Sequence, residues 1–159
     1  MVLQDFAGEF TCQLDNKNRV SIPSGIRKMF LPEAQNTIVF VPGFEMKNVY
    51  AYPLNEWQKL TKKLRALNPL DDDAREFVRQ FVGVAHYATM DGQGRVMIPD
   101  RILSMAGINK EDREMLLIGT LEKFEIWNPK VYEEHRSGKS LTELARLMQQ
   151  KSSIFDNSE

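Results

Sequence analysis

Two stretches of the chain, residues 14–30 (LDNKNRVSIPSGIRKMF) and residues 90–106 (MDGQGRVMIPDRILSMA), match at a constant offset of 76 positions. The offset pairs Asp15 with Asp91, Arg19 with Arg95, Val20 with Val96, Ile22 with Ile98 and Pro23 with Pro99. It also pairs Ile26 with Ile102, Met29 with Met105 and Pro53 with Pro129. A duplicated unit constrains the fold more than any single motif, because each element placed in one copy must find its place in the other. The substitutions are as informative as the identities. Asn16 faces Gly92 and Asn18 faces Gly94, and Asn and Gly are the residues that best tolerate positive φ. The same tight turn is therefore expected twice.

Each turn leads into a short alternating strand, Arg19-Val20-Ser21-Ile22 or Arg95-Val96-Met97-Ile98, whose apolar residues fall on one face. Proline then ends the strand, and Ser24 and Asp100 stand where a helix N-cap is expected. The first short helix should stop before Pro32 and the second at Gly107. The runs TIVFVP and EMLLIG read as strands, each followed by a turn and a further strand, NVYAYP and KFEIWNP. Between the copies, Trp57, Leu60, Leu64 and Leu67 recur at helical spacing until Asn68-Pro69 breaks the pattern. A second helix should begin around residues 71–73, where three acids suit a positive helix N-terminus, and run through Phe77, Phe81 and Val82. These two helices suit a subunit interface. Ser140 and Glu143 form a capping-box pattern for a C-terminal helix striped with Leu141, Leu144, Leu147 and Met148, and a mobile tail is expected over residues 151–159. The resulting division is a first unit at 1–56, a helical connection at 57–82, a second unit at 83–132 and a C-terminal helix with tail at 133–159.

A chain of 159 residues suits one compact domain or two small units sharing a core, and 42% hydrophobic with 27% charged residues is ordinary globular composition. There is no apolar run of the roughly 18 residues a membrane helix needs, nor a charged segment leading into a hydrophobic signal core, so a cytoplasmic protein without a membrane partner is expected. Cys12 is the only cysteine and His86 and His135 the only histidines, which leaves no intramolecular disulfide and no zinc-type ligand set. Cys12 reads as core or strand filler. With no nucleophile beside a histidine, no phosphate loop and no metal set, catalysis is not expected and no cofactor is implied.

The formal charge of -1 gives the whole molecule none of the basic footprint of a nucleic-acid binder. Any such contact has to come from a local patch, multiplied by oligomerisation. The patch is suggested by the two D-x-x-x-R turns. Asp15 and Asp91 can accept amide hydrogen bonds inside their own turns and so fix where Arg19 and Arg95 point, and arginine offers a planar fork of donors suited to phosphate oxygens or a guanine edge. The duller alternative for this pair is a surface ion pair of little consequence. In the first copy Lys17, Arg19, Arg27 and Lys28 stand against Asp15 alone, whereas Arg95 and Arg101 are balanced by Asp91 and Asp100 in the second. The first copy should supply most of the phosphate attraction. Trp57, Trp127, Phe77 and Phe81 follow apolar periodicities and are assigned to core or interface packing, and the basic run at 59–65 to a solvated helix face.

At the paired DNKNRVSIP and DGQGRVMIP elements the chain resembles the MraZ family of bacterial regulators, built from tandem SpoVT–AbrB-type units. The resemblance extends through DAREFVRQFVGVAHYATMDGQGRVMIP and LLIGTLEKFEIWNP to about Tyr132. It implies an α+β, mainly β fold: a duplicated swapped-hairpin β-barrel with pseudo-twofold symmetry and peripheral helices. It also implies a homo-oligomeric ring of about eight subunits. The expected ligand is double-stranded promoter DNA, bound at direct repeats upstream of the division and cell-wall gene cluster, with repression as the outcome and the nucleoid as the location. Carried over residue by residue, the family's turn arginine falls on Arg19 and Arg95, and its turn aspartate on Asp15 and Asp91. Lys17, Asn18, Arg27 and Lys28 complete the expected DNA-binding set. Where the family commonly has glycine before the first arginine this chain has Asn18, which keeps the turn and adds a side chain beside the contact. An oligomeric protein-interaction module without DNA binding is the alternative.

Overall fold

A computed structural model describes residues 5–136, 138–152 and 154. The expected mobile tail at 151–159 falls mostly outside these residues. The first unit supplies β1 (Glu9–Gln13), β2 (Arg19–Ser21), α1 (Ser24–Arg27), β3 (Thr37–Pro42) and β4 (Val49–Pro53), followed by α2 (Leu54–Leu64) and α3 (Asp72–Phe81). The second unit repeats the order with β5 (His86–Thr89), β6 (Arg95–Met97), α4 (Asp100–Leu103), β7 (Glu114–Gly119) and β8 (Phe124–Trp127), followed by α5 (Pro129–His135) and α6 (Leu141–Lys151).

The strands form a six-stranded sheet in the order β1-β7-β8-β4-β3-β5 and a separate two-stranded ribbon of β2 with β6. Every pairing is antiparallel. The first strand of each unit lies against the other unit: Phe10 opposes Leu117 and Cys12 opposes Met115 across β1 and β7, while Ile38 opposes Ala88 and Phe40 opposes His86 across β3 and β5. The burial of each strand follows from its place. β1 sits at an edge and alternates, as a half-buried strand must, whereas β4 lies centrally between β3 and β8 and is buried at all five positions.

One core serves both units. Val20, Ile22, Ile26 and Phe40 from the first pack in the same cluster as Val96, Ile98, Ile102 and Leu117 from the second. On the other face of the sheet, Val39, Val41, Tyr50 and Tyr52 are covered by Trp57 of α2 and Phe81 of α3, both buried. Trp57 Nε1 donates to Tyr87 Oη at 2.6 Å. The helix α6 has its capping box, with Ser140 and Glu143 each bonding the other's backbone amide, yet none of its residues is buried.

Two expectations are corrected. The fold is neither a closed barrel nor mainly β: both sheets are open, and helical residues make up 36% of those described against 26% in strands. Closure fails because β1 and β5 are the two outer edges of the sheet and do not meet, while β2 and β6, at three residues each, pair only with one another. The helical share is larger because α2, α3 and α6 each run for ten or eleven residues. Nor do Ser24 and Asp100 act as N-caps. Pro23 and Pro99 hold those positions, with extended ψ of 142° and 152° and no side-chain cap, and Ser24 and Asp100 are the first helical residues.

The cross-unit packing generates a stability prediction. A Cβ on Gly119, at the end of β7, would collide with backbone atoms of Phe6 and Ala7, whereas one on Gly92 would meet nothing within 4 Å. Gly119→Ala is expected to lower the unfolding free energy by about 1–3 kcal/mol, and Gly92→Ala to leave it within about 0.5 kcal/mol. Urea titrations followed by circular dichroism measure both; equal midpoints for the two variants would contradict the packing described.

Candidate nucleic-acid interface

The two turns are built identically from their sequences. In the first, Asp15 Oδ1 accepts the amides of Lys17 and Arg19, each at 2.8 Å, and Asp15 Oδ2 accepts Arg19 Nε at 2.9 Å. The Asp15 amide donates to Arg19 O and the Asn18 amide to Asp15 O, at 2.9 and 3.1 Å. Asn18 takes the positive φ, 61°, that closes the loop. In the second, Asp91 Oδ1 accepts the amides of Gln93 and Arg95 at 2.8 and 2.9 Å, Asp91 Oδ2 accepts Arg95 Nε at 2.9 Å, and Gly94 stands at φ 77°. One carboxylate thus fixes both the backbone of the turn and the direction of its arginine.

Only the Nε edge of each guanidinium is used. Among the described residues neither Arg19 nor Arg95 has a hydrogen-bond or ion-pair partner at Nη1 or Nη2, and their side chains are 43% and 42% exposed. The amide hydrogen bond from Arg19, followed by that from its side chain and from the Lys17 amide, holds the Asp15 carboxyl down at about 2; the same arrangement, led by the Arg95 amide, lowers Asp91. Both turns keep their ionised clamp throughout the neutral range.

The β2–β6 ribbon sets the two turns side by side. Arg19 opposes Met97, Val20 opposes Val96 and Ser21 opposes Arg95. Val20 and Val96 point into the core, so the other face of the ribbon carries Arg19, Ser21, Arg95 and Met97, all exposed. Diagonal neighbours on such a face lie on the order of 7–8 Å apart. Two arginines 76 positions apart in the sequence therefore share one surface.

The remaining predicted residues are distributed around this surface. Lys17 and Lys28 are exposed. Asn18 is half-buried and engaged within the protein: its Nδ2 donates to Asp100 Oδ1 at 2.7 Å, and its Oδ1 accepts from Arg113 Nη2 at 2.7 Å. Arg113 Nη2 also donates to the Asp15 carbonyl. Arg27 lies over the second turn rather than the first, since a Cβ on Gly94 would fall 2.5 Å from Arg27 Cδ. Sequence reading missed Ser21, Met97 and Arg113. Ser21 and Met97 were legible as the outward positions of alternating strands, but Arg113 lies in a mixed-charge run, NKEDREM, without periodic signal.

Among the described residues no cluster of His, Cys, Asp and Glu is arranged to hold a metal ion, and no helix is long and apolar enough to cross a membrane. Burial pushes the Cys12 thiol up to about 11, so it stays protonated and inert at neutral pH.

A family model described as "MraZ protein, putative antitoxin-like" matches the chain twice, at residues 6–80 and 81–151. Among curated proteins, the chain is similar to "Transcriptional regulator MraZ" of Clostridium acetobutylicum, 37% identical over 130 residues that cover 82% of this chain and 86% of the relative. The protein of the same name from Clostridium beijerinckii is 38% identical over 130 residues, with the same coverage. That of Shewanella oneidensis is 32% identical over 127 residues, covering 80% of this chain and 82% of the relative.

The clamp geometry sets a pH dependence. Asp15 is more acidic folded than in an unfolded chain, so its contribution to stability is complete above the unfolded carboxylate range and is lost as pH falls through about 2. Carboxyl carbon shifts followed by NMR should show Asp15 titrating near 2, and Asp91 below the ordinary 3.8. An ordinary midpoint for Asp15 would rule out the double amide clamp.

Proposed function

The chain belongs to the MraZ family of transcriptional regulators, and from that premise we propose that the exposed face of its β2–β6 ribbon is the surface that reads DNA. The observation that carries this reading is the pair of identically clamped arginines on one face, each with its Nη edge free of protein partners among the described residues. A guanidinium held by Nε keeps two parallel donors for a phosphate or for O6 and N7 of guanine. Because the aspartate has already fixed the side chain, little rotamer freedom is lost on contact. Lys17, Arg27 and Lys28 add positive charge around the ribbon, while Asn18 acts through the turn it holds.

A chain with a formal charge of -1 has little long-range attraction for DNA. Affinity is then built by repetition, with several copies in a closed ring, of about eight subunits, placing their ribbons along direct repeats of promoter DNA. The exposed apolar side chains Phe44, Met46 and Phe77, at 62%, 83% and 38% exposure around one groove on the α3 side of the molecule, support such self-association. Occupying the promoter of the division and cell-wall gene cluster in this way represses it, and the protein works in the cytoplasm at the nucleoid.

Fluorescence anisotropy with the duplex upstream of the chain's own gene tests the contact surface. Arg19→Ala and Arg95→Ala should each weaken binding by roughly 5- to 150-fold while leaving melting temperature and oligomer mass unchanged. Retained affinity in both variants at moderate salt would refute the assignment, and the absence of any salt-sensitive binding would favour a protein-interaction module. Sedimentation tests the assembly: the double variant Phe44→Glu, Phe77→Glu should fall to a smaller species, and an unchanged mass would place the subunit contact elsewhere.

A further inference from the structure

Beside the first turn lies an open cleft of about 510 Å³ lined by Lys17, Asn18, Asp100, Lys110 and Arg113, among others. Three of these are cations. Among the described residues none of the three forms an ion pair: Arg113 donates only to neutral oxygens, those of Asp15 O, Asn18 Oδ1 and Asn109 O, and Lys17 and Lys110 are exposed. The one carboxylate lining the cleft, that of Asp100, accepts from Asn18 Nδ2 instead. Like charges gathered in one concavity repel each other, and an anion seated among them removes that cost.

The duplication supplies an internal comparison. The Leu14 amide donates to Arg113 O at 2.9 Å, and at the other turn the Met90 amide donates to Asn36 O at 2.8 Å. Arg113 therefore corresponds to Asn36, Lys17 to Gln93, and the loop NKEDR to PEAQN. The second turn has the same clamp and no cations at the matching positions, so the three charges are not needed to build the turn.

We propose that this cleft seats a backbone phosphate of bound DNA, with Lys17 and Lys110 as the contacting groups and Arg113 as a positioning residue that also supplies fixed charge. The proposal rests on the reading of the ribbon as the DNA surface and adds a contact made only beside the first turn, where Lys17 of the first unit meets Lys110 and Arg113 of the second. A phosphate contact carries no base information, so its loss weakens all duplexes alike.

The test is Lys110→Gln, at an exposed position where the fold is not at stake, measured against the upstream duplex and an unrelated duplex over a salt series. Both affinities should fall by the same factor, and the slope of log K against log salt should become shallower by about 0.9 per engaged copy. Between 50 and 200 mM salt the unaltered protein should then lose roughly three- to four-fold more affinity per engaged copy than the variant. Lys17→Gln should behave alike. A wild-type slope and affinity in Lys110→Gln, with binding still lost in Arg19→Ala, would overturn the phosphate seat and leave the ribbon reading intact. Loss confined to the upstream duplex would also overturn it, since that is base readout. Saturable binding of inorganic phosphate without duplex, at an ionic strength matched with chloride, would reassign the cleft to a small anion. If the unaltered protein binds neither duplex, both readings fall together.

Discussion

Neither half of the duplication completes a sheet by itself. The strand β1 finds its partner in β7 and β5 finds its partner in β3, while β2 pairs with β6 alone, so each unit supplies hydrogen-bond partners that the other lacks. The two units also share a single core, in which Val20 and Val96, at 2% and 3% exposure, lie on the inward side of the ribbon. Separating the units would strand backbone amides and carbonyls as well as apolar surface. The spacing of Arg19 and Arg95 is for this reason a property of the core and not of a flexible linker.

That rigidity matters because the charge available is small. Each aspartate clamp orients an arginine and offsets part of its charge, which favours geometry over raw attraction. A loose cluster of lysines would attract polyanions more strongly at long range and hold them less specifically. With two oriented guanidinium groups per chain, the proposed repetition across copies would restore affinity through effective concentration, and the exposed aromatic groove at Phe44 and Phe77 is the surface proposed for that association.

The local parts of this arrangement were legible in the sequence and the long-range parts were not. Asp, Asn or Gly, and Arg at fixed spacing encode a turn through contacts no more than four residues apart, and these are the bonds found at Asp15 and Asp91. The strands TIVFVP and EMLLIG were legible because each holds four consecutive apolar residues, IVFV and MLLI, between turn signals. Barrel closure depends on whether β1 and β5 meet, which no local pattern specifies, and it was expected where the sheet is open. The partners of Asn18 illustrate the same limit. Asp100 and Arg113 lie 82 and 95 residues away, and neither residue type at neither position signals the contact.

The two turns also show how equal backbone demands permit unequal surroundings. Asn18 and Gly94 both satisfy a positive φ, yet they are not interchangeable. The Asn18 side chain ties the first turn to Asp100 and Arg113 of the second unit, and a glycine there would release both. The missing side chain at Gly94 leaves the space that Arg27 of the first unit fills, and any Cβ there would displace it. A ribbon with exact twofold symmetry would present the same face in both directions along a duplex. Here one end of the ribbon opens onto a basic cleft and the other is covered by Arg27, so the surface acquires a direction. The proposed head-to-tail placement of successive copies on direct repeats would require such a direction, because a symmetric reader matches palindromes instead.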